Sequence, residues 1–229
     1  MNWDLLQAYG PRMLGGLVVT LQLVSISIVI GAMLSIPIAL GRISRNKIIG
    51  GLAFAYVYAL RGTPLLAQTF LVYYGAGQFR AELEAVGLWW LFRDAFFCCI
   101  LTFSLNTAAY QAEILRGAIL AVPRGQNEAA KSLGLARRAV FRYIVAPQAV
   151  LLALRPLGNE LILMIKGSSV AAVVTVFDLM GVTRLAFSRS FDFQVYLWAA
   201  VLYLALVEII RRVWDALERY LTRHVRPAA

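Results

Sequence analysis

The chain has 229 residues, 61% of them hydrophobic and only 15% charged, with a mean hydropathy of +0.72. Water-soluble domains run nearer to half apolar and a quarter charged, so the composition excludes an ordinary soluble domain and points to the lipid bilayer. A net charge of +10 on a soluble protein suggests nucleic acid, so the placement of the charges has to decide what it means here. The two cysteines, Cys98 and Cys99, are adjacent inside an apolar run. They offer neither a disulfide framework nor metal-ligand spacing and read as small buried apolar residues. A single histidine, His224, argues against a histidine-based catalytic or zinc site.

The N-terminal segment 1–16 lacks the basic start and short apolar core of a cleaved signal peptide. Trp3, Leu5, Leu6, Tyr9 and Met13 suit a short interfacial helix there, with Trp3 and Tyr9 near head groups. Leu17 to Leu40 then runs 24 residues without a charge, about 36 Å of helix, enough to cross a hydrocarbon core of roughly 30 Å. A second block, Ile48 to about Ala76, is interrupted by Arg61-Gly62-Thr63-Pro64. Pro64 removes a backbone donor and Gly62 loosens the turn, which predicts a kink or break and makes these four residues the candidate pore hinge.

The loop Gly77 to Asp94 carries Trp89, Trp90 and Phe92, suited to a membrane interface. The third block, Ala95 to Val122, contains Asn106, Gln111, Glu113 and Arg116. Between the third and fourth blocks lies a basic hairpin. Glu128 to Leu133 is one and a half turns of good helix formers, Gly134 ends it where the absence of a side chain is best tolerated, and a second helix leads to Pro147. Lys131, Arg137, Arg138 and Arg142 keep this hairpin out of the bilayer core, so it sits at the surface and faces something.

The fourth block, Ile144 to Ile165, carries Arg155, Pro156, Asn159 and Glu160, and the fifth is Phe193 to Ile210. The stretch between them, Lys166 to Asp192, is punctuated by Gly167, Ser168, Ser169, Asp178 and Gly181. It is too broken for a sixth span and reads as a short re-entrant or gating helix. The tail from Arg211 continues the last helix, with Trp214, Leu217, Tyr220 and Leu221 on an apolar side. The expected fold is therefore all-α and integral to the membrane: one domain with five spans in a core of 17–210 and a tail of 211–229.

Five spans put the termini on opposite sides. Thirteen basic residues fall on one side: three after the first span, five in the hairpin region, and five in the tail including Arg226. The other side has five: Arg12, Arg80, Arg93, Arg184 and Arg189. The positive-inside rule then places the N-terminus outside and the hairpin in the cytoplasm. Topology and anionic lipid account for the basic excess without nucleic acid.

No G-x-x-x-x-G-K-[ST] occurs, so any ATP that drives transport is bound by another chain. The functional candidates are intramembrane polar groups, because a charge near the bilayer centre costs several kcal/mol unless paired or facing water. Glu113 lies two helical turns after Asn106, so both can face one cavity, joined by Asn159 and Glu160 from the fourth span. Glu113 and Glu160 suit the cationic groups of an amino acid. Ser168 and Ser169, with backbone donors after Gly167, suit its carboxylate. Against this stand local uses: Glu113 with Arg116 is an i, i+3 pair that can simply neutralise itself, and the serines can cap a helix.

Glu128-Ala129-Ala130, three residues, Gly134, nine residues, Ile144, one residue and Ala146-Pro147 resemble the EAA signature of permease subunits of bacterial ABC importers. Ala146 stands where that pattern usually has Leu. Arg61 to Leu65, Tyr73-Tyr74-Gly75, Ala109 to Ile114, Gly117 to Ile119 and Val122 to Gln126 are similar to the polar amino acid branch, most of all to the M-type permease of the histidine, octopine and nopaline systems. The similarity runs from about Leu17 to His224.

The resemblance implies that Glu128, Ala129, Ala130, Gly134, Ile144 and Pro147 belong to a coupling helix that docks into an ATP-binding subunit. It implies an inner-membrane location, two ATP-binding subunits carrying the ATP and Mg, a second similar permease, a periplasmic binding protein, and a cargo of polar, basic amino acids or opines. This chain itself would hold no cofactor and be no enzyme. The competing reading is a stand-alone secondary transporter or channel using Glu113 or Glu160 as a proton relay. Five spans, no repeat and a surface hairpin suited to a soluble partner argue against it.

Overall fold

The structure is a computed structural model describing residues 3–223. The side chain of Trp3, and His224 and Arg226, lie outside the described residues. Every regular element in it is helical. Four helices are long and apolar enough to cross a membrane, five if a bent pair counts as one span.

The first helix, α1 (Trp3–Arg42), is continuous over 40 residues. This corrects the expectation of a separate interfacial helix before residue 17. Gly10-Pro11 and Gly15-Gly16 do not break it. A Cβ on Gly16 would meet the backbone carbonyl of Asp178, and one on Gly31 would run into Thr107 Cγ2. The missing side chains thus allow two close approaches along one rod.

Asn46 caps α2 (Lys47–Gly62), its side chain accepting from the Ile48 and Ile49 amides at 2.9 and 3.4 Å. The chain breaks at Thr63-Pro64, the expected break: α3 (Leu65–Gly75) follows, and the segment Leu65–Ala85 that it begins leaves at 101° to α2. A 3₁₀ turn (Ala76–Phe79), α4 (Arg80–Ala85) and α5 (Trp89–Phe92) form the connection that the sequence leaves as loop. Arg80 lies over the Trp89 ring at 5.4 Å.

The central helix is α6 (Ala95–Ala121), capped by Asp94 through the Phe96 amide at 2.7 Å. It packs against α1 along its length and is the most buried span. After it come α7 (Arg124–Ser132) and α8 (Arg137–Val140), a π-helical turn (Phe141–Val145) and α9 (Ala146–Gly167). The second arm of the hairpin therefore passes through Pro147 into the fourth span without a break. Pro147 lacks the N–H that would bond the Tyr143 carbonyl, and the widened turn ahead of it absorbs the mismatch.

A 3₁₀ segment (Ser168–Val174) follows, then α10 (Leu179–Ser190), capped by Asp178, and α11 (Gln194–Thr222). Leu23, Val24, Cys99, Phe103, Ile165 and Val174 form the main core between α1, α6, α9 and the 3₁₀ segment. Both cysteines are fully buried there or beside it, as their apolar setting predicts.

Candidate functional site

The hairpin owes its shape to one residue. Gly134 has a φ of +73°, the left-handed value that favours glycine. The Leu135 amide donates to the Ala130 carbonyl at 3.2 Å and the Gly134 amide to Lys131 at 2.9 Å. These are the two bonds of a Schellman ending, in which the last carbonyls of a helix are satisfied by the chain that reverses over them. Underneath, Ala130 (2% exposed) packs with Val140, Val145, Ala149, Ala118 and Val122, so the hairpin is bolted to α6 and α9. Ile144 is half-buried against the same cluster, and its carbonyl accepts from Gln148 Nε2 at 2.9 Å. On the outward side Glu128, Ala129, Gly134 and Pro147 are exposed, and Leu133 stands 80% exposed at the tip. Arg45, Lys131 and Arg137 line a basic groove at its flank.

The break in the second span is braced from outside the helix. Pro64 has no N–H to offer the Leu60 carbonyl, and two side chains replace it: Gln68 Nε2 at 2.8 Å and Asn106 Nδ2 at 3.1 Å. Gln68 also donates to the Thr63 carbonyl and hydroxyl, and accepts from Asn106 at 3.0 Å. Thr63 Oγ1 donates to Ala59 at 2.8 Å. Asn106 is therefore spent on holding the hinge Gly62-Thr63-Pro64 and does not share a cavity with Glu113. Gln68, which the sequence reading passes over, is the centre of this network.

Behind it, a polar relay crosses the bundle. Gln111 Nε2 donates to the Ile28 carbonyl of α1 at 3.3 Å and to Thr107 Oγ1 at 3.1 Å, and Thr107 donates to Glu160 Oε1 of α9 at 2.9 Å. Glu160 is 6% exposed, while its neighbour Asn159 is exposed and faces α11. Consecutive helical residues point about 100° apart, which separates the two. Ser168 and Ser169 donate to the carbonyls three residues back, Ile165 and Lys166, at 2.7 and 2.8 Å, a local back-bonding at the end of α9.

Glu113 is held twice over. Arg116 Nε donates to its Oε1 at 2.8 Å, with the Arg116 Nη2 closing on the same oxygen. Arg42, from the end of α1, lies 3.5 Å from Oε2 and stacks over Phe54 at 4.9 Å. Glu113 also borders an open cleft of about 440 Å³ with Arg61, Tyr110, Leu152 and Pro156. The last helix is fastened to α9: Trp214 Nε1 donates to the Leu154 carbonyl at 2.9 Å, Arg155 and Glu218 pair at 2.7 Å, and the Trp214 indole fills the space above Gly158. The tail packs through Trp214 and Glu218, whereas Leu217 and Tyr220 of its apolar side are exposed.

Residues 13–227 match the family of inner membrane components of binding-protein-dependent transport systems. The chain is 43% identical over 217 residues to the nopaline transport system permease protein of Agrobacterium fabrum, covering 94% of this chain and 90% of that one. It is 35% identical over 215 residues to the histidine/lysine/arginine/ornithine transport system permease protein of Escherichia coli, covering 93% and 90%. A crystal structure of an amino acid ABC transporter with histidines superposes with a TM-score of 0.86 at 33% identity, covering 96% of this chain and 99% of that one. The inward-facing methionine ABC transporter shares the fold, with a TM-score of 0.70 at 19% identity over 97% of this chain and 100% of that one.

Proposed function

The chain belongs to the inner membrane components of binding-protein-dependent transport systems, and from that premise we propose that it imports basic amino acids or opines, with its hairpin as the handle for the ATPase. It is a multi-pass inner-membrane permease of an ABC importer and a transport subunit without catalysis of its own. Such a permease works with an ATP-hydrolysing subunit and a binding protein. We assign the partners here as two ATP-binding subunits carrying the ATP and Mg, a second similar permease and a periplasmic receptor. The substrate class follows the names of the relatives, which carry nopaline in one case and histidine, lysine, arginine and ornithine in the other.

The observation that carries the mechanism is the two-faced hairpin. Its lower face is packed into α6 and α9 through Ala130, Val140 and Val145, while its tip presents Leu133 beside Gly134. An ATPase that grips the tip moves both helices as a body, because close-packed interiors shift between discrete arrangements and do not stretch. The Thr107–Glu160 bond and the braced hinge at Arg61 to Pro64 then lie in the frame that rocks. Glu113, with Tyr110 and Arg61, lines the cleft that the substrate passes, while Asn106 and Glu160 hold the helices that frame it and Asn159, Ser168 and Ser169 lie away from it. The N-terminus is outside and the hairpin cytoplasmic, in keeping with the thirteen basic residues on that side.

A cysteine at the tip tests this orientation. Cys98 and Cys99 are fully buried and should stay silent to a membrane-impermeant maleimide. Leu133→Cys is expected to label in inside-out vesicles only, and to be shielded when the ATPase is bound. Labelling from right-side-out vesicles, or no shielding in an active complex, defeats the proposal.

A further inference from the structure

The cleft between α6 and α9 carries a guanidinium that no ion pair holds. Arg61 is the penultimate residue of α2, at the lip of the break. Its guanidinium lies 5.1 Å over the Tyr110 ring, and among the described residues no carboxylate comes within ion-pair distance of it. Glu113, the one acid lining the cleft, is already shared by Arg116 and Arg42. Glu113 and Glu160 act on Arg61 only at longer range, and with the guanidinium groups of Arg42, Arg61 and Arg116 against these two carboxylates the balance around the cleft is positive, the opposite of what an isolated Glu113 suggests in the sequence.

The surroundings suit a small ligand with a carboxylate. At about 440 Å³ the cleft is within the usual range of ligand pockets. Leu152, Ile114 and Pro156 give it apolar walls for methylene groups, and nothing stands within 4 Å of a Cβ on Gly117. The origin of the Arg61 side chain is fixed, because Gln68 and Asn106 hold the Leu60 carbonyl next to it. A guanidinium lying over an aromatic ring keeps a fork of donors free for bidentate pairing with a carboxylate.

We propose that Arg61 receives the carboxylate of the transported amino acid or opine, Tyr110 supporting the guanidinium from behind, and that Arg61 is thus a specificity-determining residue for import. The assignment rests on the transport reading above.

The test uses the assembled permease–ATPase complex in nanodiscs without the binding protein, so that the receptor's own preferences do not enter. Binding of labelled arginine is competed by unlabelled arginine or by agmatine, which keeps the guanidinium and amine but has no carboxylate. On the unaltered complex agmatine should compete about tenfold less well, as the loss of a charge-assisted pair implies. Arg61→Gln should weaken arginine binding about tenfold and close the gap between the two ligands. Arg61→Lys, which keeps the charge without the fork, should fall between. Equal competition by agmatine and arginine on the unaltered complex overturns the proposal without reliance on any variant's folding, as does a gap that persists in Arg61→Gln. An unaltered complex, supplied with its receptor, that imports neither arginine nor octopine brings down the transport reading and this site together. Import with an unchanged gap in Arg61→Gln removes the site alone.

Discussion

Replacing Gly134 isolates what the bend of the hairpin contributes. Its φ of +73° is left-handed, yet no atom of the chain lies within 4 Å of where a Cβ would stand. A side chain here meets no clash inside the molecule, so the cost is conformational. It is about 1 kcal/mol for Ala, about 2 kcal/mol for β-branched Val, and less than either for Asn, which visits this region readily. At 1.4 kcal/mol per factor of ten, Val shifts the balance between the bent and opened hairpin by about thirtyfold. A stability of about 5–15 kcal/mol still keeps the chain folded. The assay is ATP hydrolysed against substrate imported by the reconstituted complex in proteoliposomes. Import per ATP should fall in the order Gly, Asn, Ala, Val, with assembly unchanged. A Val variant with the wild-type ratio refutes the handle. An Asn variant as poor as Val refutes the backbone argument and assigns the loss to bulk at a partner surface.

The brace of the broken span predicts non-additivity: Gln68→Leu and Asn106→Leu should each cost about 2 kcal/mol, since each removes several bonds from one part-buried network. Together they should cost about 1 kcal/mol less than the sum in thermal unfolding, and strict additivity contradicts the shared network. Gly158→Ala drives a Cβ into the Trp214 indole and should cost about 1–3 kcal/mol, exposing the segment between Arg211 and Arg223 to trypsin. Trp214→Ala in the same chain should relieve the clash and lower the further cost of Gly158→Ala. Undiminished protease protection in Gly158→Ala, or no relief in the double variant, rules out this fastening.

The parts of the fold that depend on local chemistry are legible in the sequence. Pro64 breaks a helix wherever it sits, Gly134 marks a reversal, and long uncharged runs mark spans. What depends on distant residues is not. The continuity of α1 past Gly10-Pro11 and Gly15-Gly16 is not visible locally, and the reasons for Gly16 and Gly31, the close approach of Asp178 and Thr107, lie far along the chain. Asn106 reads as a ligand because its use, the carbonyl that Pro64 frees, is 46 residues away. Glu113 shows its partner Arg116 at i, i+3, but Arg42 comes from another helix, and only with both in place does the sign of the cleft emerge. Arg61 reads as part of a hinge because its neighbours are Gly, Thr and Pro. That it lies over Tyr110 with no carboxylate in ion-pair distance among the described residues is a fact of the tertiary structure alone.

At 40 residues, α1 is about 60 Å long, twice a hydrocarbon thickness of roughly 30 Å. Even tilted by about 40°, the steep end of what helices adopt, it would leave about a third of its length outside the oil. Met13 near one end is wedged among Leu179, Val182 and Ala199, and Ala39 near the other sits with Val57 and Ala109. Such a rod is anchored near both ends, so a displacement of one anchor reaches the other through a single helix, with Pro11 and Pro37 the two places where it can flex.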